Sequence, residues 1–174
     1  VSELHGEFPE SYKDLIQLKG VGDYTASAVA SIAFDLPHAT VDGNVYRVLS
    51  RFYGINTPID SSQGIKEFKS LAQDLLDPDQ PGNHNQAVME LGALVCSPKS
   101  PKCGECPLRW NCYAHLAAET HLFPIKKGKT KVRKRYFNYL VLDSSHGLTR
   151  IKKRTGRDIW KHLYEFPLLE SSES

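Results

Sequence analysis

Four cysteines lie close together in this sequence and are candidates for binding a metal. They fall within one 17-residue window, at Cys96, Cys103, Cys106 and Cys112. In an intracellular chain such clustering favours a metal or an iron-sulfur cluster over disulfides, which usually join distant segments of a small secreted fold. Four thiolates in one compact loop can hold tetrahedral zinc or a 4Fe-4S cluster. By this chemistry alone both remain open, with zinc slightly favoured.

A glycine pair in the segment Leu18-Lys19-Gly20-Val21-Gly22 separates two predicted helices. Glycine permits a tight hairpin and lets backbone N–H groups approach a phosphate at the start of the second helix, near Tyr24. The same pattern is typical of a helix that ends at glycine and is followed by another helix. The spacing alone does not separate these two interpretations.

Asp42 is a carboxylate directly before another predicted helix, in the segment Val41-Asp42-Gly43-Asn44-Val45. The positive end of the helix dipole favours a carboxylate at this position. Because Asp is a common first residue of helices, the sequence alone favours a structural N-cap over a catalytic role.

Helical periodicity indicates which elements position these residues. Apolar residues recur at helical spacing in three windows, 29–36, 45–52 and 68–75. A short helix around Leu15 that ends at Gly20 precedes them, and another over 86–95 runs into the first cysteine. Breaks are predicted at Pro37, 58–62 and 77–82.

The composition changes after Pro124. Seven of the ten residues in 126–135 are basic and none is acidic. Residues 136–142 are aromatic and apolar, as in a strand, 144–147 predict a turn, and 148–154 can return as a second strand.

The composition of the whole chain narrows the function classes. The 174 residues are 40% hydrophobic, which suits one domain and part of a second. The net charge of +2 is too small to indicate nucleic-acid binding by itself. Because neither an 18-residue apolar span nor a secretory signal is apparent, we expect an intracellular protein without a membrane partner.

The hairpin segment with the following Tyr24, Thr25 and Ala26 resembles the helix-hairpin-helix of the large DNA glycosylase superfamily. The resemblance implies that the hairpin holds DNA through backbone amides, with a bound monovalent cation. The implied DNA-binding residues are Leu18, Lys19, Gly20, Val21, Gly22, Tyr24 and Thr25. In that superfamily the catalytic aspartate lies about 20 residues past the hairpin, at the position of Asp42. An ionised carboxylate there can stabilise an oxocarbenium-like sugar or add to it.

The cysteine spacing resembles that of the iron-sulfur branch of the superfamily, which includes endonuclease III and adenine glycosylase. The resemblance therefore favours a 4Fe-4S cluster with a structural role. It also implies that Lys99, Lys102 and Arg109 reach DNA phosphates from the cluster loop, although ordinary surface charge is an alternative for each of them.

Three features resemble the adenine glycosylases rather than endonuclease III. Tyr24 replaces the lysine whose amine forms a Schiff base in the endonuclease branch, and tyrosine cannot form one. Asp42-Gly43-Asn44 stands where that branch has Asp-Thr-His, and 85–93 resembles the helix before the cluster in adenine glycosylases. The resemblance implies a monofunctional enzyme that removes adenine opposite 8-oxoguanine or guanine. Tyr24 and Asn44 would position or shield Asp42 and the flipped nucleotide, or else serve as a core-edge aromatic and a helix cap.

The segment 158–167 resembles the Gly-x-Trp-Glu-Phe-Pro region of the Nudix-like domain that reads the 8-oxoguanine strand in adenine glycosylases. We therefore expect a mainly α fold: a helix-hairpin-helix glycosylase domain with a four-cysteine loop over 1–122, a basic linker over 123–135, and the first strands of a Nudix-like α+β domain over 136–174.

Family members are about twice as long, and their catalytic glutamate lies in helices that precede the position of Val1. We therefore expect this chain by itself to excise adenine poorly or not at all, since proton transfer typically supplies about 100- to 10,000-fold. The expected partner is double-stranded DNA that contains the mispair, and the expected state is a monomer in a bacterial cytoplasm. Two alternatives are a bifunctional glycosylase/lyase for oxidised pyrimidines and a non-enzymatic DNA-binding module with a zinc loop.

Overall fold

The computed structural model describes residues 7–128 and 134–171. The chain forms two compact units, Val1–Lys129 and Thr130–Ser174, and the boundary between them falls inside the predicted linker. The first unit is helical and the second contains short strands, as the mainly α prediction requires. Within the described ranges no helix is both long and apolar enough to cross a membrane.

The described part of the first unit contains six α-helices, which confirm the three periodic windows. Their bounds are α1 (Tyr12–Leu15), α2 (Asp23–Phe34), α3 (Gly43–Tyr53), α4 (Ser62–Leu75), α5 (Pro81–Glu90) and α6 (Tyr113–Leu116). A π-helical turn, Leu91–Val95, continues α5 to the first cysteine, and two 3₁₀ turns, Cys103–Glu105 and Arg109–Asn111, lie in the cysteine loop. Helix α2 ends before Pro37 because Asp35 adopts a left-handed conformation with φ 49°.

Helix α5 begins earlier than predicted. The sequence analysis predicted a break over 77–82 and a helix from residue 86, whereas the helix starts at Pro81. Proline is favourable in the first turn of a helix, where its missing N–H has no carbonyl to bond and its fixed φ suits the helix. The predicted break is therefore shorter by two residues.

Two small cores hold the first unit together. The larger one joins α3 and α4 through Val45, Leu49, Phe68 and Ala72. Phe68 is fully buried, and burying such a side chain stabilises a fold by roughly 1.5–3 kcal/mol. The smaller core consists of Leu15, Ala26 and Ala30, and it fixes α1 against α2.

Two side-chain amides fasten the loop at 37–40, which leads to Asp42. The Ala39 N–H donates to Oε1 of Gln73 at 3.0 Å, and the Thr40 N–H donates to Oδ1 of Asn85 at 3.0 Å. Each amide nitrogen also donates to a carbonyl of the same loop, at 2.9 Å in both cases. The loop is therefore fixed to α4 by Gln73 and to α5 by the buried Asn85.

The described part of the second unit contains four short strands. They are β1 (Tyr136–Tyr139), β2 (Lys152–Lys153), β3 (Tyr164–Glu165) and β4 (Leu168–Ser171). Strand β1 pairs antiparallel with β4, and β2 pairs antiparallel with β3. This pairing corrects the predicted strands over 136–142 and 148–154. The first is shorter, and of the second only Lys152–Lys153 is regular, because β1 pairs with the later segment β4.

Ion pairs link distant parts of the second unit. Arg135 donates to both Glu170 and Asp158, with distances from 2.6 to 2.7 Å. Arg154 bonds Asp158 at 3.0 Å and also bonds Glu165. These hydrogen bonds lower the pKa of Asp158 and raise that of Arg135. Arg135 belongs to the basic run, yet its charge is engaged within the unit.

Candidate active site and cysteine loop

The α1–α2 hairpin places its glycines on an open surface. Gly20 has φ 89°, a left-handed conformation that favours glycine. A Cβ at Gly20 or Gly22 would meet no atom within 4 Å, so a ligand can approach the backbone there. Of the predicted DNA-binding residues, Leu18 and Val21 turn inward and pack on the smaller core. The exposed ones are Lys19, Gly20, Gly22, Tyr24 and Thr25.

Asp23, the first residue of α2, joins the two helices of the hairpin to each other and to α4. Its Oδ1 accepts hydrogen bonds from the Tyr12 hydroxyl and, at 2.6 Å, from the Lys69 ammonium. Partial burial raises the pKa of Asp23, but the hydrogen bonds from Lys69 and Tyr12 outweigh this and the net effect lowers it. The hydrogen bond to Asp23 raises the pKa of Tyr12 to about 12, with a further contribution from burial. His38 stacks on Tyr12 with ring centroids 4.6 Å apart.

Asp42 is the N-cap of α3, so the structural role predicted from sequence is present. Its Oδ1 accepts hydrogen bonds from the N–H groups of Asn44 and Val45, both at 2.8 Å. Its Oδ2 accepts a third hydrogen bond from Nδ2 of Asn44 at 2.9 Å. The side chain is nevertheless only half-buried. The cap therefore fixes the carboxylate without sealing it from solvent.

Asn44 and Arg47 connect this carboxylate to the cysteine loop. The Arg47 guanidinium donates to Oδ1 of Asn44 at 2.8 Å, to the Gly92 carbonyl at 2.6 Å and to the Cys96 carbonyl at 2.6 Å. Arg47 is 8% exposed, and burial lowers its pKa, although the nearby Cys96 and Asp42 oppose this. A continuous chain of hydrogen bonds therefore runs from Asp42 to the residue that opens the loop.

The start of α3 lies very close to the π-helical turn. A Cβ on Gly92 would lie 2.6 Å from the Asn44 Cβ and 3.0 Å from its Cα, which is closer than real contacts allow. Glycine is therefore required here for space, since only a residue without a side chain permits the two backbones to approach. The approach sets the position of Asn44 relative to Arg47.

Tyr24 lies away from the hydrogen bonds of Asp42. It is 44% exposed, and its hydroxyl donates to Sδ of Met89 on α5 at 3.6 Å. Thr40, in the loop before Asp42, is 3.9 Å from the same sulfur. Among the described residues, the structure brings Asn44 into contact with Asp42, whereas no hydrogen bond joins Tyr24 to it.

The four cysteines line one small cavity between α3 and the loop. Other lining residues include Arg51, Arg109 and His115. Burial raises the pKa of Cys103, and the nearby Cys96, Cys112 and Cys106 raise it further. Over the described part of the chain, no three His, Cys, Asp or Glu side chains are arranged to hold a metal ion. The structure thus brings the four predicted ligands to the lining of one cavity.

Arg51 fastens the cysteine loop from the buried side of α3. It is 2% exposed, and its guanidinium donates to the carbonyls of Ser97, Pro98 and Thr120 at 2.8–3.0 Å. It also lies 3.3 Å from Sγ of Cys96. A single buried side chain thereby bonds the start of the loop and the segment that follows α6.

The three predicted phosphate contacts of the loop differ in their surroundings. Lys99 and Lys102 are exposed, as a DNA contact requires. Arg109 is half-buried, lies 4.5 Å above the ring of Trp110, and donates to the Gly104 carbonyl. Its guanidinium is therefore partly engaged within the loop.

The sequence analysis missed Arg47 and Arg51. Both lie inside the window at 45–52, whose apolar periodicity predicts only a core-forming face. With Asn44 they recur at spacings of three and four residues, so they form a polar stripe along one side of α3. That stripe begins next to Asp42, and this periodicity was the available signal for a buried polar connection.

Comparison with known proteins gives the family. A sequence model of the helix-hairpin-helix motif matches residues 3–32. The adenine DNA glycosylase of Buchnera aphidicola (Schizaphis graminum) is 34% identical over 165 residues, which is 95% of this chain and 47% of that protein. The adenine DNA glycosylase of Rattus norvegicus is 51% identical over 116 residues, or 66% of this chain and 22% of that protein. The chain therefore spans about half the length of the Buchnera protein and a smaller share of the rat protein.

Solved structures of DNA glycosylases have a similar fold. A thermostable thymine-DNA glycosylase matches with a TM-score of 0.61 and 30% identity, over 67% of this chain and 53% of that one. A non-covalent endonuclease III–DNA complex matches with a TM-score of 0.57 and 28% identity over the same shares. The chain therefore belongs to the helix-hairpin-helix DNA glycosylases, and the relatives that match nearly its whole length are adenine DNA glycosylases.

Proposed function

We propose that the chain forms part of a monofunctional base-excision repair glycosylase that hydrolyses the N-glycosidic bond of adenine mispaired with 8-oxoguanine or guanine. The observation that carries the proposal is Asp42, a half-exposed carboxylate fixed by three hydrogen bonds and followed by Asn44. The similarity to adenine DNA glycosylases supports the choice of base.

In this proposal Asp42 stabilises the positive charge that develops on the sugar as the glycosidic bond breaks. A preorganised carboxylate is effective there because it needs no reorganisation when the charge appears. Asn44 fixes the orientation of Oδ2, and Arg47 in turn orients the Asn44 amide through its Oδ1. Asn44 is thus a positioning residue.

The proposed DNA contact is the exposed backbone of the hairpin, with Gly20 and Gly22 facing open space. Backbone N–H groups at a helix start bind phosphate well, and a monovalent cation would complete the site. Lys99 and Lys102 are exposed and available for further phosphate contacts. The partner would be double-stranded DNA that contains the mispair.

We propose a 4Fe-4S cluster as the group held by Cys96, Cys103, Cys106 and Cys112. The four cysteines line one cavity, and their spacing resembles that of the iron-sulfur branch that includes endonuclease III, a structural neighbour of this chain. Cysteine thiolates are the usual ligands of such a cluster. When bound, the cluster would supply structural support to the loop.

We assign no general acid among the described residues. A site without one loses about 100- to 10,000-fold in rate. We therefore expect this chain by itself to excise adenine slowly or not at all, and binding to a mimic of the charged sugar gives a better test than turnover.

The test compares DNA duplexes that carry either a cationic pyrrolidine or a neutral tetrahydrofuran in place of the target nucleotide, opposite 8-oxoguanine. If Asp42 faces the sugar, the chain binds the cationic duplex more tightly, by about tenfold, as expected for roughly 1.4 kcal/mol of charge pairing. Asp42→Asn keeps an acceptor for the helix cap but removes the charge, so it should abolish the preference. Fluorescence anisotropy at fixed salt measures both affinities.

Asp42→Ala serves as the matched variant, since it also loses the cap and should cost about 1 kcal/mol of folding stability. An Asp42→Asn chain that retains the full preference for the cationic duplex would contradict the catalytic assignment. Borohydride trapping of a covalent DNA adduct would instead support the lyase alternative, which Tyr24 disfavours.

A further inference from the structure

Arg51 is placed where both ends of the cysteine loop meet. Its side chain bonds the opening segment through Ser97 and Pro98, and it bonds Thr120 in the segment that follows α6. The sulfurs at the two ends of the cysteine series are also next to this residue. Sγ of Cys96 is 3.3 Å from the guanidinium, and Sγ of Cys112 is 3.5 Å from the Arg51 carbonyl.

Arg51 can therefore act on the loop in two ways: its charge stabilises the nearby thiolates, and its hydrogen bonds fix the positions of the backbone carbonyls. Four cysteine thiolates concentrate negative charge, and a fully buried guanidinium beside one of them lowers the energy of that charge far more than a surface cation does. A planar guanidinium also donates in fixed directions, so several carbonyls bound to it are held in one geometry. Removing Arg51 would take the shared donor away from all three carbonyls.

Arg51 and Arg47 are one helical turn apart and both contact Cys96, but their other partners differ. Arg47 donates toward Asn44 and Gly92, on the side of Asp42. Arg51 donates toward Ser97, Pro98 and Thr120, away from that carboxylate. The two arginines can therefore be tested separately.

We propose that Arg51 has two effects on the metal cofactor of the cysteine loop. It retains the cofactor, because it contacts the loop at both Cys96 and Cys112, and it raises the reduction potential of the cofactor, because its buried positive charge lies beside Cys96. The inference rests on the 4Fe-4S cluster of the proposed function. The charge makes the addition of an electron more favourable, and the closed loop slows the release of the thiolates from iron.

The experiment uses Arg51→Gln, which removes the charge, and Arg51→Lys, which keeps the charge but not the planar fork. Arg150→Lys, at an exposed position of the second unit, is the control. Loss of the absorption band at about 400 nm in the presence of a chelator gives the cofactor lifetime. Voltammetry of the adsorbed protein gives the reduction potential, which a purely structural role would leave unchanged.

We expect Arg51→Gln to lose the cofactor about 10- to 100-fold faster than the unsubstituted chain and to show a lower potential. Arg51→Lys should lose it faster as well, but with a potential close to that of the unsubstituted chain. If Arg51→Gln does not fold, Arg51→Lys carries the test. An unchanged lifetime in the variants overturns the retention role, and an unchanged potential in Arg51→Gln, or equally lowered potentials in both, overturns the charge role.

Metal analysis of the unsubstituted chain separates this inference from the proposed function. Zinc in place of iron and sulfide would contradict the 4Fe-4S cluster and the potential. Chelator-driven release of that zinc, followed with a metal-sensitive dye, would then test retention by Arg51. Equal release rates from Arg51→Gln and the unsubstituted chain would overturn it.

Discussion

The Asp23 carboxylate follows the hairpin glycines directly, and its bonds to Tyr12 and Lys69 join α1, α2 and α4 at one atom. The Lys69–Asp23 pair is about half exposed, with 52% of each side chain accessible. Its contribution at neutral pH is therefore small, on the order of 1 kcal/mol or less, because solvent screens such pairs. Because the pair lies next to the exposed glycines, it also helps to fix the position of the hairpin.

We predict that Asp23→Asn lowers the unfolding free energy by up to about 1 kcal/mol at pH 7. The pKa of Asp23 is lowered on folding, so its contribution is present above its ordinary value of 3.8 and is lost as pH falls through the lowered value. The raised pKa of Tyr12 adds a second window, since that contribution is complete below 10.0 and is lost as pH rises through about 12.

Urea unfolding of the chain and of Asp23→Asn at pH 7, 3 and 12 measures these windows. The difference between them should shrink at both extremes. Asp74→Asn, an exposed carboxylate on α4, is the control. A difference that stays constant over the whole range would show that Asp23 acts through packing and not through charge.

Sequence reasoning located Asp42 and its helix but left its role open, for a physical reason. A residue before a helix can cap it whether or not the carboxylate also meets a ligand, and this structure contains the cap. The partners Arg47 and Cys96 are 49 residues apart in sequence, so their contact depends on the crossing of α3 and the loop. Spacing within one segment cannot reveal such a contact.

At the scale of elements, the crossing of α3 and the π-helical turn decides the geometry around Asn44. The turn carries Gly92, whose carbonyl accepts from Arg47 and whose missing side chain admits Asn44. The i→i+5 hydrogen bonds of a π-helical turn accommodate one extra residue and so rotate the side chains that follow, and such turns occur often at functional sites. The crossing therefore sets both the helix contact and the hydrogen bonds of Arg47.

Gly92→Ala should separate these two backbones. Because its Cβ would lie 2.6 Å from that of Asn44, we expect a loss of about 1–3 kcal/mol in folding stability. The preference for the cationic DNA duplex should weaken as Asn44 moves. Thermal unfolding and anisotropy measure the two effects.

Gly104→Ala is the matched control, since a Cβ at Gly104 would meet no atom within 4 Å. Its stability should change by less than about 0.5 kcal/mol, as for most surface substitutions. Equal losses in the two variants would show that the close approach at Gly92 has no special cost.

The helices could be predicted more completely than the strands. Periodicity within 45–52 and 68–75 is local, and helices α3 and α4 follow it. Strand β1 instead pairs with β4, so that Tyr136 lies opposite Ser171. The predicted turn over 144–147 is present, with an antiparallel bridge between Asp143 and Thr149, but no local pattern identifies a partner as far along the chain as β4.

At the scale of the whole molecule, charge is divided unequally between the two units. Val1–Lys129 has 12 Lys and Arg against 15 Asp and Glu, whereas Thr130–Ser174 has 10 against 5. The small net charge of +2 hides this division. If the chain binds DNA as proposed, the long-range attraction comes from the second unit and the helical unit supplies short-range contacts.

We predict that Lys152→Ser with Lys153→Ser weakens DNA binding, because both residues are exposed on β2. The slope of log affinity against log salt should fall by about two, one for each lost phosphate contact. Lys66→Ser, an exposed lysine on α4, should leave the slope unchanged. A titration over several salt concentrations measures the slopes, and an unchanged slope in the double variant would contradict the prediction.

The amides of Gln73 and Asn85 fasten the loop before Asp42, whereas Asp23 and Tyr12 fasten the hairpin. Carboxamides carry no ionisable proton, so acid and alkali leave their hydrogen bonds intact. The approach to the carboxylate should therefore keep its shape under conditions that loosen the hairpin. In acid the ionic contact of Asp23 with Lys69 should therefore weaken while the loop that leads to Asp42 stays fastened to α4 and α5.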